Sequence, residues 1–199
     1  MESEQIKEPK KKKQIAFIYH KADNDGLFSA VIGKRIFYDE IEMDEQNDGD
    51  FIDFIGYNYG EDDQRDLWLG DLPEQQYDLY IFVDITPPLM WLWKIENDLL
   101  LGNKKILIFD HHQKRCDDIR NLNKPNIEIV YGEMQSGAKT LYKNVDNILN
   151  YFNPVNIRMF YSDRQRERFE TILELVNDYD IWKFDSPDYG EIKQIKYYV

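Results

Sequence analysis

The stretch Lys105-Ile106-Leu107-Ile108-Phe109-Asp110-His111-His112 carries the reading of the chain. Four apolar residues in a row, Ile106–Phe109, have the length of a strand and no polar alternation. A strand without alternation is one covered on both faces, and that places it in a parallel sheet between helices. An acid and two histidines follow at once, where such a strand would end.

Four more segments on either side of it have the same length and the same β-branched or aromatic content. They are Ile15–Tyr19, Phe51–Ile55, Leu79–Val83 and Ile127–Val130. Helical patterns lie between or after them, over Leu27–Tyr38, Leu89–Leu101, Ser136–Tyr151 and Arg164–Val176. In the last of these, Phe169, Ile172, Leu173 and Val176 fall at i, i+3, i+4 and i+7. Ser162 and Gln165 form a capping box at its start. The β-α-β order predicts an α/β domain with a doubly wound, mostly parallel five-stranded sheet, helices on both faces and right-handed crossovers. There is no internal repeat. Residues 1–14 read as a basic flexible tail and 15–199 as one domain. Asp39–Asp50 and Asn153–Asp163 read as loops. The run Lys10–Lys13 is either a solvated tail or a nuclear import signal.

The 199 residues suit one such domain, and 42% hydrophobic and 15% aromatic residues supply a core and exclude wholesale disorder. No apolar run approaches the roughly 18–20 residues of a membrane span. The N-terminal lysines have no apolar segment after them, so no secretory signal is expected. The single cysteine, Cys116, has no partner for an internal disulfide, so a cytoplasmic, reducing location is the default. Between Asp39 and Asp78 the chain carries 15 acids and one base, Arg65, so that segment alone is −14 and the rest of the chain is close to neutral. Long duplex nucleic acid is held by many phosphate neutralisations, and this charge balance argues against it as a partner.

All three histidines stand just past strand-like segments: His20 after Ile15–Tyr19, and His111 and His112 after Ile106–Phe109. Asp84 ends the strand Leu79–Val83, and Asp23 and Asp25 accompany His20. Ligands of open α/β sheets bind beyond the carboxyl ends of the strands, so three strands deliver His and Asp to one edge. Asp178 and Asp180 stand after the last helix. Structural zinc wants cysteine and calcium wants oxygen alone. Mixed Asp and His with shared carboxylates suits a pair of Mn²⁺ or similar ions. Such a pair, about 3.5–4 Å apart, activates water and neutralises a phosphoryl oxygen. A lone strand-end Asp is most often a cap or turn residue, and Asp25-Gly26 has that reading too. The pair His111-His112 directly after Asp110 is much harder to explain as packing.

These residues resemble the DHH phosphoesterase superfamily, whose namesake motif stands here as Asp110-His111-His112. Tyr19-His20-Lys21-Ala22-Asp23-Asn24-Asp25-Gly26 is similar to the first motif of its nanoRNase, or oligoribonuclease-like, subgroup. Val83-Asp84-Ile85-Thr86-Pro87 is similar to the second motif, and Ser136-Gly137-Ala138 to the helix start after the DHH motif. Asn177-Asp178-Tyr179-Asp180-Ile181-Trp182 resembles the fourth, and Tyr57-Asn58-Tyr59-Gly60 fits the same subgroup. The motifs span about residue 15 to 183 in the family's order.

The resemblance implies an Mn²⁺-dependent phosphodiesterase with two ions, which Mg²⁺ or Co²⁺ would replace. By position, His20 and Asp23 would bind one ion and Asp25 the other. Asp84 would bridge both, and His111 and Asp178 would complete the second site, with Asp180 the alternative to Asp178. His112 would face the scissile phosphate and Asp110 would orient the histidine pair. Asp23 stands where relatives often have Cys, in a motif often one residue longer. Ser136, Gly137, Lys139, Lys114 and Arg115 are the candidate substrate contacts, with Lys21 a further base; a solvated surface or a simple helix cap is the rival reading of each. Short oligonucleotides or cyclic dinucleotides are the expected substrates. Pyrophosphate or polyphosphate hydrolysis and a non-catalytic nucleotide-binding module are the alternatives. The glycine-rich DHH-associated domain is not recognisable, so a minimal or truncated member, a homo-oligomer, or a partner completing the substrate wall is implied.

Overall fold

Five parallel strands lie in the order β2-β1-β3-β4-β5 in the computed structural model, which describes residues 14–41, 51–58, 77–87, 89, 92, 104–149, 151, 160 and 162–183. The strands are β1 (Gln14–His20), β2 (Phe51–Tyr57), β3 (Leu79–Val83), β4 (Lys105–Asp110) and β5 (Ile127–Tyr131). The described helices are α1 (Asn24–Ile41), α2 (Gln113–Arg120), α3 (Gly137–Lys143), α4 (Val145–Leu149) and α5 (Asp163–Asp180). The predicted α/β architecture is present, and every strand pair is parallel.

Successive strand residues point to opposite faces, and both faces are apolar. Phe17, Ile81, Val83, Leu107 and Phe109 pack on one side against Ile32 and Ile36 of α1, Leu141 of α3, Ile148 of α4 and Leu173 of α5. Ala16, Ile18, Tyr80, Phe82, Ile106 and Ile108 pack on the other, with Ile119 of α2. Each large side chain taken fully from water contributes about 1.5–3 kcal/mol, so the two layers together supply the main drive for folding. No described helix is long and apolar enough to cross a membrane.

Several boundaries differ from the sequence expectation. Gln14 is already strand, its amide donating to the Asp78 carboxylate, so it does not belong to the tail. The helix α1 runs to Ile41, into the segment read as a loop from Asp39. The single helix expected over Ser136–Tyr151 is broken at Asn144, whose side chain donates to the Thr140 carbonyl at 2.8 Å and whose φ of −119° leaves the helical region. The helix α5 extends to Asp180 rather than ending at Val176. Ser162 does cap it, accepting from the Gln165 amide at 3.3 Å. The octet Gln113–Arg120 was not foreseen as a helix; only Cys116 and Ile119 are buried in it, too few to set a period. Residues 1–13, most of 89–101 and most of the loop from Asn153 lie outside the described residues.

The register decides what the strand ends share. Tyr19 is level with Val83, and Val83 with Phe109, so His20, Asp84 and Asp110 form one row at the carboxyl edge. Strand β1 has β2 on one side and β3 on the other, so the order reverses there, the point at which open α/β sheets bind ligands.

Candidate metal centre

The row is assembled from residues that the backbone holds in place. His20 ends β1, and its Nδ1 lies 2.6 Å from Asp23 Oδ2 and 3.5 Å from Asp84 Oδ2. Asp23 immediately precedes α1, and its other oxygen accepts from the Gly26 amide at 2.9 Å, as a helix-capping carboxylate does. Gly26 is required there because a Cβ would stand 1.8 Å from the His20 carbonyl oxygen.

Asp84 sits at the centre, almost fully buried. Its φ is +55°, in the left-handed region that Asp and Asn tolerate better than other residues with side chains. Its amide extends the ladder by donating to the Phe109 carbonyl at 2.9 Å. Asp84 Oδ1 lies 3.3 Å from His111 Nε2, so one carboxylate faces a histidine from β1 and another from the end of β4. His111 Nε2 is also 3.3 Å from Asp180 Oδ2, at the end of α5.

Asp25 is buried in the first turn of α1 and reaches α3. Its oxygens accept from the Gly137 amide at 2.6 Å and the Ala138 amide at 3.0 Å. Those amides have two readings in the sequence, a phosphate site or a simple helix cap. They hold this chain's own carboxylate, which satisfies the same preference of a helix start for an anion. The third amide of that turn, Ser136, donates to Asn177 Oδ1 at 3.0 Å, and the Ser136 hydroxyl accepts from the Lys139 amide. Ser136 and Gly137 are therefore positioning elements in this geometry.

His112 has a different environment from His111. Its Nδ1 is 2.7 Å from Asp110 Oδ1, and its side chain is 41% exposed, against 19% for His111. Asp110 is fully buried and accepts from the His111 amide at 2.7 Å, the His112 amide at 3.2 Å and the Thr86 hydroxyl. Burial alone would raise its pKa, but the bonds from His112 and Thr86 outweigh it and hold the carboxyl below its ordinary value. The orienting role of Thr86 was not foreseen, although the residue lies in the quoted second motif.

Asp178 is turned away from this cluster. Its Oδ1 accepts from Asn177 Nδ2 at 3.1 Å and Lys183 Nζ at 3.3 Å, and Asp180 takes the position by His111. Of the two acids weighed for the second ion, the geometry thus brings Asp180 and not Asp178 beside His111. The signal was available: Asp180 continues the buried series Phe169, Leu173, Val176 at i+4, i+7 and i+11, whereas Asp178 leaves it. It was missed because the helix was ended at Val176. Lys139 Nζ pairs with Glu174, not with the cluster. Lys114 and Arg115, in the first turn of α2, line a separate cavity with Thr86.

The crowded acids and histidines shift one another's affinity for protons. His20 is raised to about 10, chiefly by its contact with Asp23 and then by the Asp84 carboxylate 3.5 Å away. Burial lowers His111, but the bond to Asp84 and the charges of Asp180, Asp84 and Asp25 raise it to about 9. Burial raises Asp180 to about 6 and, with the charges of Asp84 and Asp180, lifts Asp25 well above its ordinary value. The donor sets His20/Asp23/Asp84, Asp25/His111/Asp180 and Asp84/Asp110/His111/His112 each have ligand atoms within 4.8 Å of one another. Asp84 Oδ2 and Asp180 Oδ2 are buried and accept no hydrogen bond of good geometry among the described residues. Buried lone pairs left this way are costly, and a divalent cation would satisfy them. The donors present thus fit hard or borderline ions such as Mn²⁺.

The chain matches no protein-family model and no curated protein. It is similar to a solved structure described as an uncharacterized protein from Helicobacter pylori G27, at 20% identity and a TM-score of 0.52. The match covers 85% of this chain and 44% of that one, so the chain spans less than half the length of its structural neighbour. At that identity the likeness bears on the fold alone.

Proposed function

We propose that this chain is a phosphodiesterase that uses two divalent cations, Mn²⁺ foremost, to hydrolyse short oligonucleotides or related small diesters. The observation that carries the reading is the shared position of Asp84, with His20 and Asp23 on one side and His111 and Asp180 on the other. His20, Asp23 and Asp84 would hold one ion, and Asp84, His111, Asp180 and Asp25 the second. When bound, such ions stabilise charge on phosphoryl oxygens and make water a nucleophile at neutral pH. The DHH-like order of motifs supports the same reading.

The remaining work belongs to the chain's own side chains. Asp110, held by two backbone amides and Thr86, fixes His112 through Nδ1. Held in this way, the His112 ring would steady a phosphoryl oxygen or move a proton at the departing oxygen. Asp25 ties the start of α3 to the start of α1.

Mn²⁺ titration of the purified chain tests the reading, together with hydrolysis of a dinucleotide, a cyclic dinucleotide, a long duplex and pyrophosphate. Two bound Mn²⁺ per chain, loss of activity in chelator and preference for the short diesters are expected. Zero or one Mn²⁺ at saturation would overturn the two-ion reading. Cleavage of pyrophosphate but of no diester would make the chain an anhydride hydrolase, and two bound ions with no turnover would make it a binding module.

A further inference from the structure

A cavity of about 400 Å³ lies between the segment that follows β3 and the helix α2. We infer that it seats one nucleoside monophosphate unit, with the base or sugar on its apolar wall and the phosphate at Lys114 and Arg115. The inference rests on the phosphodiesterase reading for the class of ligand, and it adds a binding site that the cluster of Asp and His does not contain.

Its size and walls carry the argument. The volume is at the low end of the roughly 300–1,000 Å³ typical of small-molecule pockets, so it suits one ring-bearing unit and not a strand. Pro87, Leu89 and Ile119 form the apolar wall, and Pro87 and Ile119 are buried. Lys114 and Arg115, exposed on α2 in the same lining, are a point charge and a planar fork that both recognise phosphate. Asp118 adds one acid. A polyphosphate, charged along its whole length, would leave the apolar wall unused and meet that acid. A nucleotide, anionic at one end and flat and apolar at the other, uses both the basic and the apolar residues of the lining, and its amino or hydroxyl donors suit Asp118.

The cavity is also coupled to the reacting end. Thr86 lines it and donates its hydroxyl to Asp110, the carboxylate that fixes His112. His112 directly precedes the turn of α2 that carries Lys114 and Arg115. A nucleotide seated here would place its neighbouring diester toward His112.

The test is equilibrium binding of AMP to the full chain in EDTA, with adenosine and inorganic phosphate as separate probes. AMP is expected to bind more tightly than either probe. Lys114→Ala with Arg115→Ala should weaken AMP at least about tenfold, or about 1.4 kcal/mol. Leu89→Ser should weaken AMP and adenosine but not phosphate, with circular dichroism confirming the fold of each variant. No detectable AMP binding, AMP affinity indifferent to the Lys114/Arg115 pair, or phosphate binding as tightly as AMP would each overturn the inference. Mn²⁺ uptake, measured separately, should survive the double substitution. Two bound Mn²⁺ with AMP indifferent to the pair would sink the cavity alone. Absent Mn²⁺ uptake with AMP responding to the pair would sink the two-ion reading and leave the cavity standing.

Discussion

Adjacent histidines with opposite surroundings should give separable phenotypes. His111 faces Asp84 and Asp180, so His111→Ala should lower Mn²⁺ content. His112 is fixed by Asp110 instead, so His112→Ala should keep the ions and lower turnover by about 10²- to 10⁴-fold, the usual range for a general acid–base. Metal analysis beside initial rates reads both, and equal loss of Mn²⁺ in the two variants would contradict the division. The acids at the end of α5 make the same kind of pair. Asp180→Asn should cost Mn²⁺, while Asp178→Asn should only release Lys183 and leave Mn²⁺ unchanged. Strand ends made His20, Asp84 and His111 legible in the sequence, because a short apolar run dictates where its last residue lies. The choice between Asp178 and Asp180 depended on how far a helix continued, and a periodic pattern that ends in polar residues does not mark its own end. Cys116 offers a third reading of a single side chain. Burial, with a contribution from Asp110, raises its thiol from 9.0 to about 12. Only the unfolded thiol ionises between those values, so its contribution to stability is complete below about pH 9 and is lost as pH rises toward 12. Between pH 8 and 10 the parent should lose about 1.4 kcal/mol more than Cys116→Ala in urea titrations. Equal losses would mean that the thiol is not shielded.

The short helix α3 depends on its first residue. A Cβ at Gly137 would stand 2.6 Å from Asp84 Cβ and 2.9 Å from the Asp84 amide nitrogen, so backbone would have to move. Gly137→Ala gains at most about 1 kcal/mol of helix propensity. Overpacking against a rigid neighbour costs about 1–3 kcal/mol. The clash should win, with a lower melting temperature and weaker Mn²⁺ binding, because the displaced backbone is that of Asp84. Unchanged Mn²⁺ affinity in a folded Gly137→Ala protein would show that the contact does not position Asp84. Where elements were misread, local competition explains it. Asn144 captures the Thr140 carbonyl and divides one apolar pattern into two helices. The helix α2 buries only Cys116 and Ile119, so its helicity comes from position after β4 and not from amphipathic pattern.

Across the molecule, the sheet was readable because both its faces are covered at the centre, which makes β1, β3 and β4 apolar without alternation. The strand order was not readable, since parallel pairing is decided by contacts far apart in sequence. That order gathers His20, near the beginning of the described chain, and Asp180, near its end, around one carboxylate. The consequence is kinetic. Contacts between such distant segments require most of the loop-closure entropy to have been spent first, so they form late in folding. An ion held there would lie on the native side of the folding barrier. It should therefore slow unfolding and leave refolding nearly unchanged, as interactions absent from the transition state do. At 100 times its dissociation constant, one Mn²⁺ contributes about 2.7 kcal/mol, or roughly a hundredfold in the unfolding rate. Stopped-flow unfolding in chelator and in Mn²⁺ measures this directly; a change confined to the refolding arm would place the site's assembly early. The same clasp that would prepare water for attack would then act as a latch, so that a chain deprived of Mn²⁺ is also the chain that opens soonest to a protease.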